Sequence, residues 1–184
     1  MFNQFGLDRN GFRSYLLWPT PRHDILLGKK LSFLPLALFI NITFLVIVAI
    51  APKVTLIYLV CSLLQMLTGF LLISLLANVT SVVVPYRIGH GSLKATKRHP
   101  STILLSILLS LCMPLLMIPI ILIPASGYFF DEFGWIAPQW SNPILTLIIL
   151  GLTVWIYRRL LIPQGKQLQH KQQAVLDIVT HEVE

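Results

Sequence analysis

Few side chains of this 184-residue chain have the type and spacing that acid–base, metal or nucleotide chemistry requires. His23, His90 and His99 lie on separate polar segments, without the spacing of a metal site. Cys61 and Cys112 each lie inside an apolar run, so no disulfide or metal framework is indicated. The sequence contains no H-E-x-x-H, G-x-S-x-G or complete G-x-x-x-x-G-K-[ST] motif. We therefore predict that the chain is not an enzyme and holds no metal or cofactor.

The composition excludes a water-soluble protein. Hydrophobic residues make up 55% of the chain and charged residues 11%, whereas soluble domains carry about 25% charged residues. So few charges cannot cover a soluble surface, and the sequence predicts an integral membrane protein whose surroundings are a lipid bilayer. The net charge of +7 is explained by membrane topology, because the basic residues lie between the apolar segments, and we predict no nucleic-acid partner.

Four apolar segments are long enough to cross a membrane as helices. They are residues 31–51, 54–78, 101–124 and 143–161, within a membrane region of residues 31–162. Apart from Arg158 and Arg159 at the end of the fourth, these spans contain no Asp, Glu, His, Lys or Arg. The predicted fold is thus all-α, a polytopic bundle of four transmembrane helices. Residues 1–30 and 163–184 lie outside the membrane, the latter as a short helix after a break at Pro163.

The basic residues predict the orientation of the chain. Thirteen of the fourteen Lys and Arg residues precede the first span, separate the second from the third, or lie at the end of the fourth span and beyond it. Only Lys53 lies on the other side. Because basic residues are enriched in cytoplasmic loops, we predict a multi-pass protein of the cell membrane with both termini in the cytoplasm.

Uncharged polar side chains enter the predicted spans, among them Asn41, Gln65 and Asn78. They can form hydrogen bonds across helices or line a polar pathway, and the sequence leaves both roles open. Pro114 and Pro119 interrupt the third span, either as a hinge or as a fixed bend.

The connection between the third and fourth spans, residues 125–142, is rich in aromatic residues and has no Lys or Arg. Such a segment suits the lipid headgroup zone as an interfacial anchor, or it forms a gate or substrate vestibule. We predict that the fourth span begins after it, with Asn142 as the N-cap and Pro143 at the first helical position.

A short amphipathic helix is predicted ahead of the first span, since Phe12, Tyr15 and Leu16 share one helical stripe. The Pro-Thr-Pro sequence that follows ends it. Thr20 can then cap the next helix, with Asp24 in its first turn. The short helix can anchor the chain to anionic lipid or dock a cytoplasmic partner.

A family resemblance follows from these segments. The sequence LLWPTPRHDILLGKKL, which starts at Leu16, looks like the first cytoplasmic connection of membrane subunits of ABC-2-type exporters. The loop NVTSVVVPYRIGHGSLKATK, which starts at Asn78, and the tail AVLDIVTHEVE are also similar to such bacterial permeases. The resemblance implies a transport component of the bacterial inner membrane. Its partners would be a separate ABC-type ATPase and a second membrane subunit, identical or different.

In such exporters the short helix acts as a coupling helix against the ATPase. The resemblance therefore gives a set of coupling candidates here: Phe12, Arg13, Trp18, Pro19, Pro21, Arg22, Asp24, Gly28 and Lys29. In the second cytoplasmic loop the matched positions are Pro85, Tyr86, Arg87, Gly91, Ser92 and Lys94.

The chain departs from this pattern in length. Exporter subunits of this type have six spans, and the chain matches only the C-terminal four. It is therefore expected to be a fragment, a truncated form or half of a split subunit. A non-transporting four-span scaffold or assembly protein is the alternative, although it does not explain the ordered motif ahead of the first span.

Overall fold

A computed structural model describes residues 3–8, 11–50, 55–86 and 100–180. These residues form α1 (Gln4–Asp8), α2 (Phe12–Leu17), α3 (Arg22–Ala49), α4 (Leu56–Val83), α5 (Pro100–Glu132) and α6 (Pro138–Thr180). The described ranges contain no strand, and the predicted all-α class is confirmed. Helices α3 to α6 are each long and apolar enough to cross a membrane.

The segment ahead of the first span and the span itself form one helix. The predicted span starts at residue 31 and α3 begins at Arg22, so the helix predicted ahead of the span leads directly into it. The carbonyl oxygen of Pro21 accepts hydrogen bonds from the backbone amides of Asp24 (3.0 Å) and Ile25 (3.4 Å). Pro21 is therefore the N-cap, one residue later than the predicted Thr20. Asp24 lies in the first turn, as predicted, where a negative charge suits the helix dipole.

The connection between the third and fourth spans is shorter than we predicted. Helix α5 continues past Pro124 to Glu132, and α6 begins at Pro138 rather than after Asn142. The prolines of α5 each remove one intrahelical hydrogen bond without ending the helix, which membrane helices tolerate. Gly134 has a φ of 65° and makes the turn between the two helices.

Helix α6 also continues beyond the fourth span. We predicted a break at Pro163, but the helix passes through this residue and ends at Thr180. Leu168, Val175 and Val179, which the sequence places on one helical face, are each about 1% exposed. Burial of this face stabilises the helix and offsets the loss of one backbone hydrogen bond at the proline.

The described residues fall into two compact units. The first is drawn from the ranges Met1–Lys30, Ser74–Met113 and Arg159–Glu184, and the second from Leu31–Ile73 and Pro114–Arg158. In the second unit, large apolar side chains of α3 such as Phe39 (70%) and Phe44 (63%) are exposed. Lipid acyl chains would cover such side chains in a bilayer.

Helices α3 and α6 pack closely against each other in the first unit. A Cβ atom added at Gly165 of α6 would lie 2.6 Å from the backbone nitrogen of His23 and 2.8 Å from its Cα. Those separations are shorter than van der Waals contact, so only glycine lets α6 pass this close to the first turn of α3.

Candidate functional site

Arg22 links helix α2 to the beginning of α3. The guanidinium of Arg22 donates hydrogen bonds to the carbonyl oxygens of Tyr15 (2.6 Å) and Leu16 (3.2 Å). These carbonyls lie at the end of α2, where no further turn of helix satisfies them. Charge-assisted bonds are the stronger kind, so Arg22 caps α2 and sets its position against α3.

Lys29, two turns further along α3, joins α3 to both short helices. Its ammonium group forms an ion pair with the carboxylate of Asp8 and donates a hydrogen bond to the carbonyl oxygen of Gln4 (3.1 Å). It also lies 5.0 Å from the ring centroids of Phe5 and of Tyr15. The Lys29 side chain is only 10% exposed, so these contacts replace water around its charge.

Apolar contacts hold α1 against α2. The rings of Phe5 and Phe12 are tilted, with centroids 4.8 Å apart, and both side chains are buried. Gly6 lies beside Asn3 and the backbone of Tyr86, and a Cβ atom at this position would overlap both. Helix α1 is therefore packed into the first unit and is not a free terminus.

A chain of amide side chains extends from α1 to α4 and α6. The Gln4 side-chain amide donates to Asn78 Oδ1 (3.4 Å), and the Asn78 amide donates to Gln164 Oε1 (3.1 Å). Gln164 in turn donates to the carbonyl oxygen of Leu75 (3.1 Å), and the Gln4 backbone amide donates to Ser81 Oγ (3.2 Å). All three amide side chains are buried. We call Gln4, Asn78 and Gln164 the amide chain.

Asn3 fixes the segment that follows α4. Its Nδ2 donates to the carbonyl oxygen of Tyr86 (2.6 Å), and its Oδ1 accepts from the backbone amides of Tyr86 (3.4 Å) and Gly6 (3.3 Å). The backbone of Tyr86 is thus bonded on both its N–H and its C=O. Asn3 thereby fixes Tyr86, which belongs to the loop after α4 that resembles the permeases.

One face of α2 is left exposed to solvent. Leu17 is 84% exposed and Trp18 is 56% exposed, and Arg13 and Ser14 are also exposed. The Trp18 ring meets the ring of Tyr15 edge-on, with centroids 5.8 Å apart. We call Arg13, Ser14, Leu17 and Trp18 the α2 surface. It combines apolar area with a positive charge, which suits a protein partner or a lipid headgroup region.

The coupling candidates from the sequence divide into three groups. Phe12 and Lys29 lie inside the first unit, and Arg22 is half-buried under the end of α2. The exposed candidates are Arg13, Trp18, Pro19, Pro21, Asp24 and Gly28. The structure thus brings these positions into one region, but only some of them are exposed.

The loop candidates are only partly described. Pro85 is buried, and Tyr86 is bonded to Asn3 as above. The other matched positions, Arg87, Gly91, Ser92 and Lys94, lie outside the described residues.

The polar residues of the spans lie in different places. Gln65 Nε2 donates to Asn142 Oδ1 (3.0 Å) and to Thr146 Oγ1 (3.0 Å), so it bonds from α4 to α6 within the second unit. Asn78 belongs to the amide chain of the first unit. Asn41 is half-buried in α3, and its Oδ1 has no hydrogen-bond partner among the described residues.

The hinge candidates Pro114 and Pro119 both lie inside continuous helix in α5. Their role as a hinge stays a prediction.

Several residues that bond to the predicted candidates were not predicted from the sequence. Gln4 and Asp8 lie near the terminus among mixed residues, and Gln164 follows a proline, so each looked like part of a solvated segment. Asn142 and Thr146 are four residues apart, and this spacing could have indicated a polar face directed at Gln65.

The described residues contain no group of three His, Cys, Asp or Glu side chains that could hold a metal ion. Compared with protein-family models, with curated proteins and with solved structures, the chain matches none of them.

Proposed function

We propose that this chain is a membrane-spanning subunit, or part of one, of an ATP-driven ABC-type exporter. In this proposal α3 to α6 cross the bacterial inner membrane, both termini are cytoplasmic, and a separate ATPase binds the α2 surface. A second membrane subunit, identical or different, completes the transporter.

The observation that carries the proposal is the way α2 is held. A helix that transmits force from a partner must present an exposed contact face and be firmly attached to the helix that it moves. The α2 surface provides the face, with Leu17 and Trp18 exposed. Arg22 and Lys29 provide the attachment to α3 through hydrogen bonds and ring contacts.

The contacts of the first unit also suggest how a push on α2 would spread. Lys29 links α3 to α1 through Gln4, and the amide chain links α1 to α4 and α6. A displacement of α2 would therefore act on three long helices, α3, α4 and α6, at once. A simple anchor in the headgroup region would not need this many specific polar links.

The direct test is association with an ATPase. The affinity-tagged chain would be co-expressed with an ABC-type ATPase encoded beside it, extracted in mild detergent and purified. We expect the two proteins to co-purify and the ATPase to hydrolyse ATP faster in the complex than alone. Variant Leu17→Glu puts a negative charge on the α2 surface and should abolish both effects. Variant Ile178→Glu makes the same change at an exposed position of α6 and should leave them intact.

Two results would contradict the proposal. One is the absence of any association, with or without nucleotide, for a chain that is correctly inserted and monodisperse. The other is equal association of the Leu17→Glu and wild-type chains. A scaffold or assembly protein would instead bind membrane proteins without any effect on ATP hydrolysis.

A further inference from the structure

A cavity of about 180 Å³ lies within the second unit, among α4, α5 and α6. Its lining residues are Tyr58, Pro124, Gly127, Tyr128 and Asn142. The cavity has room for several water molecules. It can admit the compact polar part of an amphipathic molecule but not a whole lipid.

Asn142 gives the cavity a hydrogen-bond donor of fixed orientation. Its side chain is 8% exposed, and its Oδ1 accepts from Gln65 Nε2 (3.0 Å) and from Thr146 Oγ1 (3.4 Å). Because the oxygen is turned toward these two donors, the amide NH2 group is the part of Asn142 left to face the cavity. A donor that faces a cavity gains a hydrogen bond from a ligand with an acceptor atom, so the NH2 group of Asn142 favours such a ligand.

The lining selects an uncharged acceptor. Among the described residues, no Asp, Glu, Lys or Arg lines the cavity, and Tyr58 and Tyr128 are the aromatic residues of its lining. A charged ligand would therefore lose its hydration without gaining an opposite charge. Carbonyl oxygens of esters and amides are acceptors that meet this condition.

The position of the cavity indicates where such an acceptor comes from. Tyr128 is near the end of α5, and Tyr58 and Asn142 lie close to the beginnings of α4 and α6. The adjoining connection carries the exposed rings of Phe133 and Trp135. Exposed aromatic rings of this kind concentrate at the membrane–water interface. The ester groups of glycerolipids lie at the same depth.

We propose that this cavity binds the glycerol-ester region of a membrane lipid, with Asn142 Nδ2 donating a hydrogen bond to an ester carbonyl oxygen. The proposal goes beyond the exporter function and does not depend on it, because it requires neither an ATPase nor a transported substrate.

The test compares two lipids that differ only at the acceptor. The purified full chain is placed in phosphatidylcholine bilayers that contain a trace of a diazirine-bearing diester phosphatidylcholine or of its diether analogue. After photolysis, mass spectrometry measures the labelling of the peptides that contain Tyr58 or Tyr128. We expect the diester lipid to label these peptides about fivefold more than the diether, the ratio that one neutral hydrogen bond gives.

A variant pair locates the donor. Asn142→Leu keeps a side chain of similar size without the NH2 group and should lower diester labelling to the diether level. The matched control is Asn41→Leu, the same replacement in α3 at an asparagine that does not line the cavity. This control should label like the wild type. Since the lipid comparison uses the unmodified chain, it stands even if Asn142→Leu fails to fold.

Several results would overturn the proposal. These are equal labelling by the two lipids, no label at either tyrosine peptide, or unchanged diester labelling in a folded Asn142→Leu variant. Competition with triacetin, a small water-soluble triester, distinguishes a membrane lipid from a free ligand. Complete displacement by triacetin, with no preference between the two lipids, would assign the cavity to a soluble ester and refute lipid binding.

Discussion

The guanidinium of Arg22 lies 2.6 Å from the carbonyl oxygen of Tyr15, and this hydrogen bond crosses from the first residue of α3 to α2. The family resemblance treats Arg22 as a candidate for contact with an ATPase, but its side chain is directed at the preceding helix. Its main effect on a partner would then be indirect, through the position of α2.

Replacing Arg22 with methionine should loosen α2. The variant Arg22→Met keeps an apolar stem but loses the hydrogen bonds to Tyr15 and Leu16, which are charge-assisted. We expect amide hydrogen exchange in residues 12–17 to rise about tenfold. The control Arg13→Met removes an exposed arginine of α2 itself and should leave the exchange of this helix unchanged. An equal rise in both variants would show that the effect is one of net charge.

Reversing the charge at the same position tests the exporter proposal. Arg22→Glu places a carboxylate beside the two carbonyl oxygens that the guanidinium now satisfies, and should displace α2. In the complex with an ATPase, we expect the stimulation of ATP hydrolysis to fall, while the amount of chain inserted in the membrane stays the same. Unaltered stimulation in this variant would count against α2 as the coupling element.

Removing the Trp18 side chain should weaken binding of the ATPase. A half-exposed tryptophan at a contact surface is the kind of residue that dominates binding energy, so Trp18→Ala should raise the Kd by tenfold or more. The matched control is Trp135→Ala, which removes a tryptophan that is 68% exposed from the connection between α5 and α6. Microscale thermophoresis with the purified ATPase measures both. A similar loss for the two variants would point to non-specific hydrophobic contact.

The all-α class and the four long helices could be predicted from the sequence, because they depend on composition and segment length. Helix ends were less predictable. The proline at position 163 suggested a break, but the burial of Leu168 and Val175 on the same face keeps α6 helical. Such burial depends on neighbours that are distant in the chain, so local patterns do not contain it.

In the candidate site, too, local features could be predicted from the sequence and long-range contacts could not. Asn78 and Gln65 were recognisable as polar residues in apolar helices, but their partners were not. Gln164 lies 86 residues from Asn78, and nothing in local spacing connects them. The structure supplies the pairing, and the pairing shows that α1, α4 and α6 form one hydrogen-bonded group.

The bond between Asn78 and Gln164 should appear as a coupling between two substitutions. Asn78→Leu leaves Gln164 Oε1 without its donor, and Gln164→Leu leaves Asn78 Nδ2 without its acceptor. Each should lower the free energy of unfolding by about 1 kcal/mol or more, since both side chains are buried.

The double variant should lose less stability than the sum of the two single losses, because it leaves neither partner of this bond behind. Denaturation of the four proteins in the same detergent gives the comparison. Strictly additive losses would mean that the two amides do not interact in the folded protein.

Gly165 and Gly151, fourteen residues apart in α6, should respond in opposite ways to the same replacement. An alanine Cβ at Gly165 would lie 2.6 Å from the backbone nitrogen of His23, and it must push α3 and α6 apart. We expect Gly165→Ala to lower stability by about 1–3 kcal/mol, as overpacking does. Within the described part of the chain no atom lies within 4 Å of a Cβ at Gly151, so Gly151→Ala should leave stability unchanged or raise it by up to about 1 kcal/mol through helix propensity. Thermal unfolding in detergent gives both values. A Gly165→Ala protein as stable as the wild type would mean that α6 does not pass against the first turn of α3.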